Sequence, residues 1–182
     1  MSHPVQLAGP RVILREFRIE DVDDALSVVG DDTVTQSLSF DSRDRDAVYD
    51  MLTAAIQRAQ ATPRTEYYLA VTLPEDDRLI GFGRLGLAGV RAAKLGAAIR
   101  SSEWREGYAT ETARLLIDFA FGPLGLHRVS AAIGPDNDAS IALVKRLGLT
   151  YEGRLRDHVF TNGAWRDSLL YSVLRPEWRA SC

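Results

Sequence analysis

Apolar and polar positions follow two different periods along the first half of the chain. From Ile19 to Val29 and from Arg45 to Ala61, apolar residues recur at intervals of three and four, which predicts two amphipathic helices. Glu66–Thr72 and Leu79–Leu87 are short apolar runs joined by a polar turn, which predicts two neighbouring strands. The apolar run around Val12–Phe17 predicts a further strand before the first helix.

Strand and helix patterns alternate in the second half. The predicted elements there are a strand Lys94–Ile99, a helix Tyr108–Phe121, a strand Arg128–Ile133, a helix Asn137–Leu147, and strands Tyr151–Phe160 and Trp165–Leu174. Crossover helices imply parallel neighbouring strands, and tight turns imply antiparallel ones. The order β-α-α-β-β-β-α-β-α-β-β therefore predicts the mixed α/β class, with a mostly antiparallel central sheet of about seven strands and helices on both faces.

Composition narrows the class of protein. With 182 residues, 46% of them hydrophobic and 26% charged, the chain is expected to form a single domain over residues 1–182. No apolar run reaches the ~18 residues of a membrane span, and Met1–Gln6 lacks a signal-peptide core. The one cysteine, Cys182, excludes an intramolecular disulfide and fits the reducing cytoplasm. A net charge of −3 argues against nucleic acid and acidic membranes as partners.

The segment from Ile99 to Glu111 carries the strongest chemical signal. It leaves a strand, crosses a short loop and enters a helix at Tyr108. Gly107 allows a tight turn, and the small Ala109 keeps the first helical turn approachable, so that free backbone N–H groups converge at the positive end of the helix dipole. This geometry binds phosphate. The alternative is that Gly107 is an ordinary turn residue before a helix.

A second glycine-rich segment does not have the context of a nucleotide site. Gly81–Gly86 matches G-x-G-x-x-G, but a strand pattern continues through Leu87 and no helix follows. We interpret it as a strand that another backbone or a ligand approaches closely.

A polar helix start follows the strand Arg128–Ile133. Asn137 and Ser140 stand there, and Gly148 ends the helix. Asn137 is either a helix N-cap, worth about 1 kcal/mol relative to alanine, or a ligand-binding residue at the mouth of the sheet.

These motifs resemble a known family. The loop, Trp104-x-x-Gly107-Tyr108-Ala109-Thr110-Glu111, resembles the acyl-CoA pyrophosphate loop of the GNAT superfamily of N-acetyltransferases. Tryptophan three places before the glycine resembles the ribosomal-protein alanine N-acetyltransferase (Rim-type) group. The resemblance extends in order over nearly the whole chain, through Arg11–Arg15, His127–Val129, Pro135-x-Asn137-x-x-Ser140, Leu147–Leu149, Glu152–Arg156, Gly163-x-Trp165-x-Asp167 and Tyr171–Leu174.

The resemblance implies acetyl-CoA as co-substrate. It assigns the pyrophosphate to the loop backbone, and the pantetheine arm and thioester to the neighbourhood of Asn137 and Ser140. The predicted acyl-CoA site comprises Ala98, Ile99, Arg100, Arg105, Glu106, Gly107, Tyr108, Ala109, Thr110, Asn137 and Ser140.

The small residues of Leu95–Ile99 suit a bound thioester. They leave room for pantetheine, and a free N–H near Ala98 or Ile99 is expected to face the thioester oxygen. Close packing of this strand against a helix explains the composition equally well.

The proton-transfer groups are less sharply defined. Many superfamily members have a tyrosine seven residues after the asparagine, where this chain has Val144, so Ser140 is our hypothesis for the group that protonates the leaving thiolate. Members that modify ribosomal proteins use a carboxylate at the position of Val159, which argues against a ribosomal acceptor here. The candidates for the general base are Glu66, Glu103, Asp157 and His158, of which histidine suits proton transfer near neutral pH.

The sequence as a whole predicts an acetyl-CoA-dependent N-acetyltransferase. A primary amine attacks the thioester directly, without a metal, and belongs to a protein N-terminus or a small molecule. Deprotonating an α-amine at pH 7 costs about 1 kcal/mol, against about 4–5 for a lysine, which favours amines of low pKa. The acceptor pocket is expected among residues 35–40, 64–68 and 158–165, and the protein is expected to be a homodimer. The alternative is a non-catalytic acyl-CoA sensor.

Overall fold

The computed structural model describes residues 4–179 and contains one eight-stranded sheet. Its strands are β1 (Gln6–Ala8), β2 (Ile13–Glu16), β3 (Glu66–Thr72), β4 (Leu79–Leu87), β5 (Ala92–Ile99), β6 (Arg128–Ile133), β7 (Thr150–Thr161) and β8 (Ala164–Leu174). They lie in the order β1-β2-β3-β4-β5-β6-β8-β7, and within the described residues only β5 and β6 run parallel. Cys182 lies outside these residues. Within them, no helix is both long enough and apolar enough to span a membrane.

Five α-helices flank the sheet in the described part of the chain. They are α1 (Val22–Val29), α2 (Asp32–Thr35), α3 (Arg45–Ala59), α4 (Tyr108–Phe121) and α5 (Asp138–Arg146). The predicted mixed sheet is confirmed, with one strand more than expected. Periodicity missed β1 and α2 because segments of three and four residues are too short to display a period.

The sheet has a hydrophobic core on each face. Along β3, Leu69 and Val71 pack in the cluster that contains α4, whereas Tyr68 and Ala70 pack in the cluster that contains α1 and α3. Successive side chains of a strand point to opposite faces. Both faces of β3 are therefore buried, which explains its unbroken apolar run and confirms helices on both sides of the sheet.

The glycines of β4 accommodate close neighbours. A Cβ on Gly81 would lie 2.3 Å from the carbonyl oxygen of Ala98, and one on Gly83 would lie 2.8 Å from Leu116 Cδ1 of α4. The close approach predicted for this strand is confirmed, and no helix follows the motif in the structure.

The pairing of β5 with β6 ends abruptly. Ala92–Lys94 pair with Arg128–Ser130, and the register between the two strands extends no further, although β5 continues to Ile99. The strands therefore part towards their carboxyl ends, at the edge where α4 and α5 begin. Such a gap between parallel strands exposes backbone polar groups to a ligand.

Candidate active site

The loop before α4 has an unusual backbone. Gly107 is the N-cap of α4 with φ +83°, and Arg105 has φ +71°. The N–H of Glu111 bonds back to the carbonyl of Gly107, so the amides before it lie in the first turn, where intrahelical partners are lacking. The predicted tight turn at Gly107 is confirmed, and free N–H groups at a helix N-terminus are an arrangement that suits an anion.

Arg11 and Trp104 hold this loop in place. Arg11 Nη1 donates to the carbonyl of Glu106 at 2.7 Å, and its Nε donates to Glu111 Oε2 at 2.9 Å. The indole N–H of Trp104 donates to the carbonyl of Ile99 at 2.7 Å, which ties the loop to the end of β5. The sequence analysis missed the role of Arg11 because this residue lies about a hundred positions away.

A cleft of about 1060 Å³ opens where β5 and β6 part. Ala109 of α4 and Gly96 and Ala97 of β5 line it on the loop side. A Cβ on Gly96 would meet nothing within 4 Å, so this glycine is not required for close packing. Of the two explanations for the small residues of β5, the structure favours room for a ligand.

The register decides which amides face the gap. The N–H of Arg100 donates to the carbonyl of Ile80 in β4 at 2.8 Å, and amides alternate in direction along a strand. Ala98, which pairs with Phe82, therefore directs its N–H towards β4, whereas Ile99 directs its N–H towards the gap. Ile99 fits the predicted amide, and Ala98 contributes a buried methyl group instead.

Asn137 and Ser140 meet at the start of α5. The side-chain oxygen of Asn137 accepts the N–H of Ser140 at 3.0 Å, so Asn137 is the N-cap of the helix. Both residues also line the cleft, and the two interpretations of Asn137 therefore hold together. Val144, one turn further along α5, lines the cleft without a hydroxyl group.

Among the candidate bases, His158 lines the cleft, and only one of its two ring nitrogens has a side-chain contact in the described part of the chain. A bulge in β7 between Leu155 and Val159 changes the strand register at this point. His158 Nδ1 lies 3.0 Å from the hydroxyl oxygen of Ser168, which is buried. Since Ser168 engages Nδ1, Nε2 is left for a ligand.

The other three candidate bases differ in whether they line the cleft and in the partners of their carboxylates. Glu66 lines the cleft, but its carboxylate bonds Arg58 at 3.0 Å and Arg84 at 2.5 Å. Among the described residues lining the cleft, neither Glu103 nor Asp157 appears. The carboxylate of Glu103 instead lies 3.2 Å from Arg78.

Asp157 and Arg100 have structural contacts elsewhere. The N–H of Asp157 donates to Asp167 Oδ1 at 2.8 Å, and its backbone has φ +48° within the β7 bulge. Arg100 Nη2 donates to Asp24 Oδ1 at 3.1 Å and to the carbonyl of Leu79 at 3.0 Å. The guanidinium of Arg100 is therefore committed to α1 and β4, and the assignment of Arg100 to the acyl-CoA site stays a prediction.

The remaining walls of the cleft come from residues that the sequence analysis did not single out individually. Members of all three predicted acceptor segments line the cleft: Ser37–Phe40, Glu66 and Tyr68, and His158–Val159. The other members share the face of the sheet that carries α3, and they include Arg43, Asp50, Met51, Phe82, Arg84, Lys94, Arg128 and Ser130.

This geometry accommodates an acyl-CoA. The concave N–H loop suits a diphosphate, and the open floor at Gly96 suits a thin pantetheine arm that leads to Asn137 and Ser140. The family model of the acetyltransferase (GNAT) domain matches residues 11–150. The chain belongs to the GNAT acetyltransferase family.

Relatives agree with this GNAT assignment. The uncharacterized N-acetyltransferase YoaA of Bacillus subtilis is 26% identical over 174 residues, which cover 93% of this chain and 97% of that protein. The ribosomal protein uS5 alanine N-acetyltransferase of Escherichia coli is 28% identical over 115 residues, which cover 62% of this chain and 59% of that protein.

Solved structures share the GNAT fold. A GNAT-family acetyltransferase of Bacillus anthracis superposes with a TM-score of 0.83 at 18% identity, covering 95% of this chain and all of that one. RimJ of Mycobacterium smegmatis, solved in complex with CoA-disulfide, superposes with a TM-score of 0.79 at 25% identity, covering 97% of this chain and 91% of that one. The protein is an acetyltransferase, and the resemblance to the Rim-type group is confirmed.

Proposed function

We propose that this GNAT enzyme transfers the acetyl group of acetyl-CoA to the primary amine of a small molecule, with His158 as general base and Ser140 as general acid. The observation that carries the proposal is that both side chains line one cleft, together with Gly96, whose added Cβ would meet nothing within 4 Å. A base and an acid in one cleft are what transfer between an amine and a thiol requires.

The donor half of the cleft binds through backbone groups. The amides around Gly107 would hold the diphosphate, the side chain of Asn137 would contact the pantetheine arm, and the N–H of Ile99 would polarise the carbonyl that reacts. Bound acetyl-CoA supplies an acetyl group activated as a thioester.

Protons move through two side chains. The contact between His158 Nδ1 and Ser168 fixes the orientation of the imidazole, and Nε2 then accepts a proton from the ammonium group of the acceptor. The hydroxyl of Ser140 donates a proton to the departing thiolate and recovers one, through solvent, from the nitrogen that becomes the amide, which sheds its second proton. The backbone N–H of Ser140 donates to Asn137, which holds this residue in the first turn of α5.

The nature of the acceptor is proposed from the walls of the cleft. Similar proteins bear names of different acceptors: uS5 for the Escherichia coli enzyme above, and spermidine for an enzyme 28% identical over 75 residues. By the resemblance to the Rim-type group, Val159 stands at the position of a carboxylate in members that modify ribosomal proteins, which favours a small amine over a ribosomal protein. Location in the cytoplasm and a homodimeric state remain part of the proposal.

Thiol release from acetyl-CoA tests the proposal. Purified protein is mixed with acetyl-CoA and a panel of small primary amines, and initial rates are measured from pH 6 to pH 9. We expect amine-dependent release, and we expect His158→Gln to lower kcat/KM by about 10²–10⁴. Ser140→Ala should lower kcat without changing the affinity for CoA.

The controls distinguish an enzyme from a sensor. His127→Gln removes a histidine from outside the cleft lining and should leave turnover unchanged. A protein that binds CoA, measured by calorimetry, but releases no thiol above background with any amine would be a binding module, and the proposed function would be wrong. Unchanged turnover in His158→Gln would remove His158 from the mechanism.

A further inference from the structure

The acceptor side of the cleft carries an excess of positive charge. Its charged lining residues are Arg43, Asp50, Arg58, Glu66, Arg84, Lys94 and Arg128, five cationic and two acidic. Glu66 is shared between Arg58 and Arg84, and Arg128 bonds Glu152 and the hydroxyl of Ser172. These pairs leave two lining cations without an ion pair among residues 4–179: Arg43, which lies 4.9 Å from the ring of Phe40, and Lys94, which is exposed on the floor of the cleft.

Lys94 stands next to a second available polar group. It pairs in register with Ser130, at the last step before β5 and β6 part, and both residues line the cleft. In the described part of the chain, neither the ammonium group of Lys94 nor the hydroxyl of Ser130 has a hydrogen-bond partner. An ammonium and a hydroxyl side by side can both donate to one anionic group.

Lys94 and Arg84 flank the open position on β5. Arg84 lies opposite Gly96 in the register, so Lys94 is its diagonal neighbour. Even-numbered residues of β5 share the face of Ala98, which packs with α1 and α3. A molecule over Gly96 on this face therefore has Lys94 beside it.

The phosphates of CoA do not explain the charge of Lys94. Lys94 lies five residues before Ile99, which is roughly 17 Å along a strand at about 3.3 Å per residue. The phosphate-binding loop follows Ile99, and the phosphates of CoA all lie on the adenosine side of the pantetheine arm. An anion bound at Lys94 would therefore belong to the acceptor.

The lining of the cleft also indicates the polarity and size of the rest of the acceptor. Leu38, Phe40, Met51 and Phe82 line the cleft and present apolar surface. The loop that contains Leu38 is fixed over the cleft by Arg166, which donates to the carbonyls of Gln36 and Leu38. Because this loop is held in place at the cleft, a compact acceptor is favoured over a folded protein.

We propose that Lys94 and Ser130 form a carboxylate subsite, and that the acceptor is a small amine bearing a carboxylate and an apolar side chain, as in a free apolar amino acid. The inference rests on the proposed function and names its substrate class. The ammonium group of Lys94 binds the carboxylate, and the amine of the same molecule points towards His158. A polyamine brings only positive charge to these cations and is a poor acceptor.

Matched pairs of acceptors test the subsite. Thiol release is measured with phenylalanine against phenylalaninamide, methionine against methioninamide, and spermidine. The amide has the less basic amine, so intrinsic reactivity at neutral pH favours it. We expect the opposite order, with kcat/KM for the free acid higher by about tenfold or more, as for a hydrogen bond to a charged group.

Two variants link that preference to the subsite. Lys94→Gln should raise the KM of the amino acid by about tenfold, leave the KM of acetyl-CoA unchanged and abolish the preference over the amide. Ser130→Ala should weaken the preference to a smaller extent. The matched control is Lys145→Gln, which changes an exposed lysine of α5 outside the cleft lining.

The outcomes separate the two proposals. Turnover with amides or spermidine equal to or above that with amino acids would overturn the subsite and leave the acetyltransferase proposal intact. Preference for the free acid that survives in Lys94→Gln would also overturn it. Binding of CoA without turnover of any amine would instead contradict the proposed function.

Discussion

The two halves of the cleft are built in different ways. The donor half consists mainly of backbone: the loop before α4 and the end of β5, which follow each other directly in the chain. The acceptor half consists of side chains from the loop after α2, from α3, and from β3, β4, β5, β6 and β7. His158 lies more than a hundred residues from Phe40, yet both line it.

This difference explains how one fold serves several acceptors. A diphosphate bound by N–H groups needs a backbone conformation, which few residues fix and many sequences provide. An acceptor bound by side chains changes whenever those side chains change. Proteins named for a ribosomal protein and for spermidine are each 28% identical to parts of this chain, which fits a constant donor half beside a variable acceptor half.

The largest effect is expected where the halves meet. Gly96→Val places a branched side chain where nothing lies within 4 Å, so strand stability should be preserved. The reacting groups are displaced by an ångström or more, and we expect kcat/KM to fall by about 10²-fold or more. Steady-state kinetics and thermal denaturation measure the two quantities, and Gly96→Ala provides a graded control. Full activity in Gly96→Val would show that the cleft does not pass over this residue.

The next effect concerns the donor half alone. Gly107→Ala adds a Cβ at φ +83°, about 3.0 Å from Arg11 Nη2. The left-handed conformation costs an alanine roughly 1–2 kcal/mol. We expect the free loop to leave this conformation, so that binding must restore it and the affinity for acetyl-CoA falls about tenfold. Calorimetry with CoA measures the loss, and the KM of the amine should stay constant. A variant with normal CoA affinity would contradict the role of the loop.

Two arginines near the loop should behave differently. Arg100→Met removes hydrogen bonds to Asp24 and the Leu79 carbonyl, and we expect it to destabilise the fold by about 1–3 kcal/mol with little effect on the KM of acetyl-CoA. Arg105→Met, at an exposed loop position, should raise that KM about two- to threefold, as for loss of a screened surface charge, without a change in stability. Thermal denaturation measures the stability of both variants, and steady-state kinetics measure their KM for acetyl-CoA. The reverse pattern would restore Arg100 to the binding site.

The smallest effect concerns the ion pair between Glu152 and Arg128, which lines the cleft. Hydrogen bonds from Arg128 and Ser172 lower the pKa of Glu152 to about 2. Because the pKa is lower in the folded state, the stabilisation is present above the ordinary value near 4.5 and is lost as the pH falls towards 2. The pair is partly exposed, so we expect at most about 1 kcal/mol, or about 2–4 °C in melting temperature.

The measurement compares the wild type with Glu152→Gln from pH 5 to pH 2. The melting temperature of the wild type should fall more steeply over this range, while the CoA affinity of the variant at pH 7 stays normal. Parallel curves would show that the pair contributes nothing to stability.

Local patterns predicted the donor half because its determinants are neighbours in sequence. Gly107, the helix start at Tyr108 and the N-cap Asn137 all act within one or two turns of chain. Proximity to the loop did not predict the contacts of Glu103 with Arg78 and of Arg100 with Asp24, since position in sequence does not give the direction of a side chain. The sequence did not predict that Arg11 fixes the loop, because about a hundred positions separate Arg11 from the residues that it contacts.

The sequence by itself determined the alternation of helices and strands, the turn at Gly107 and the family, because these depend on short-range periodicity and on backbone preferences of single residues. Only the tertiary structure decided where β5 and β6 part, which amide faces the gap, and which of four candidate bases reaches the cleft. Those features follow from strand register and from packing between distant segments. A change of one residue in register would turn each of these groups to the opposite side.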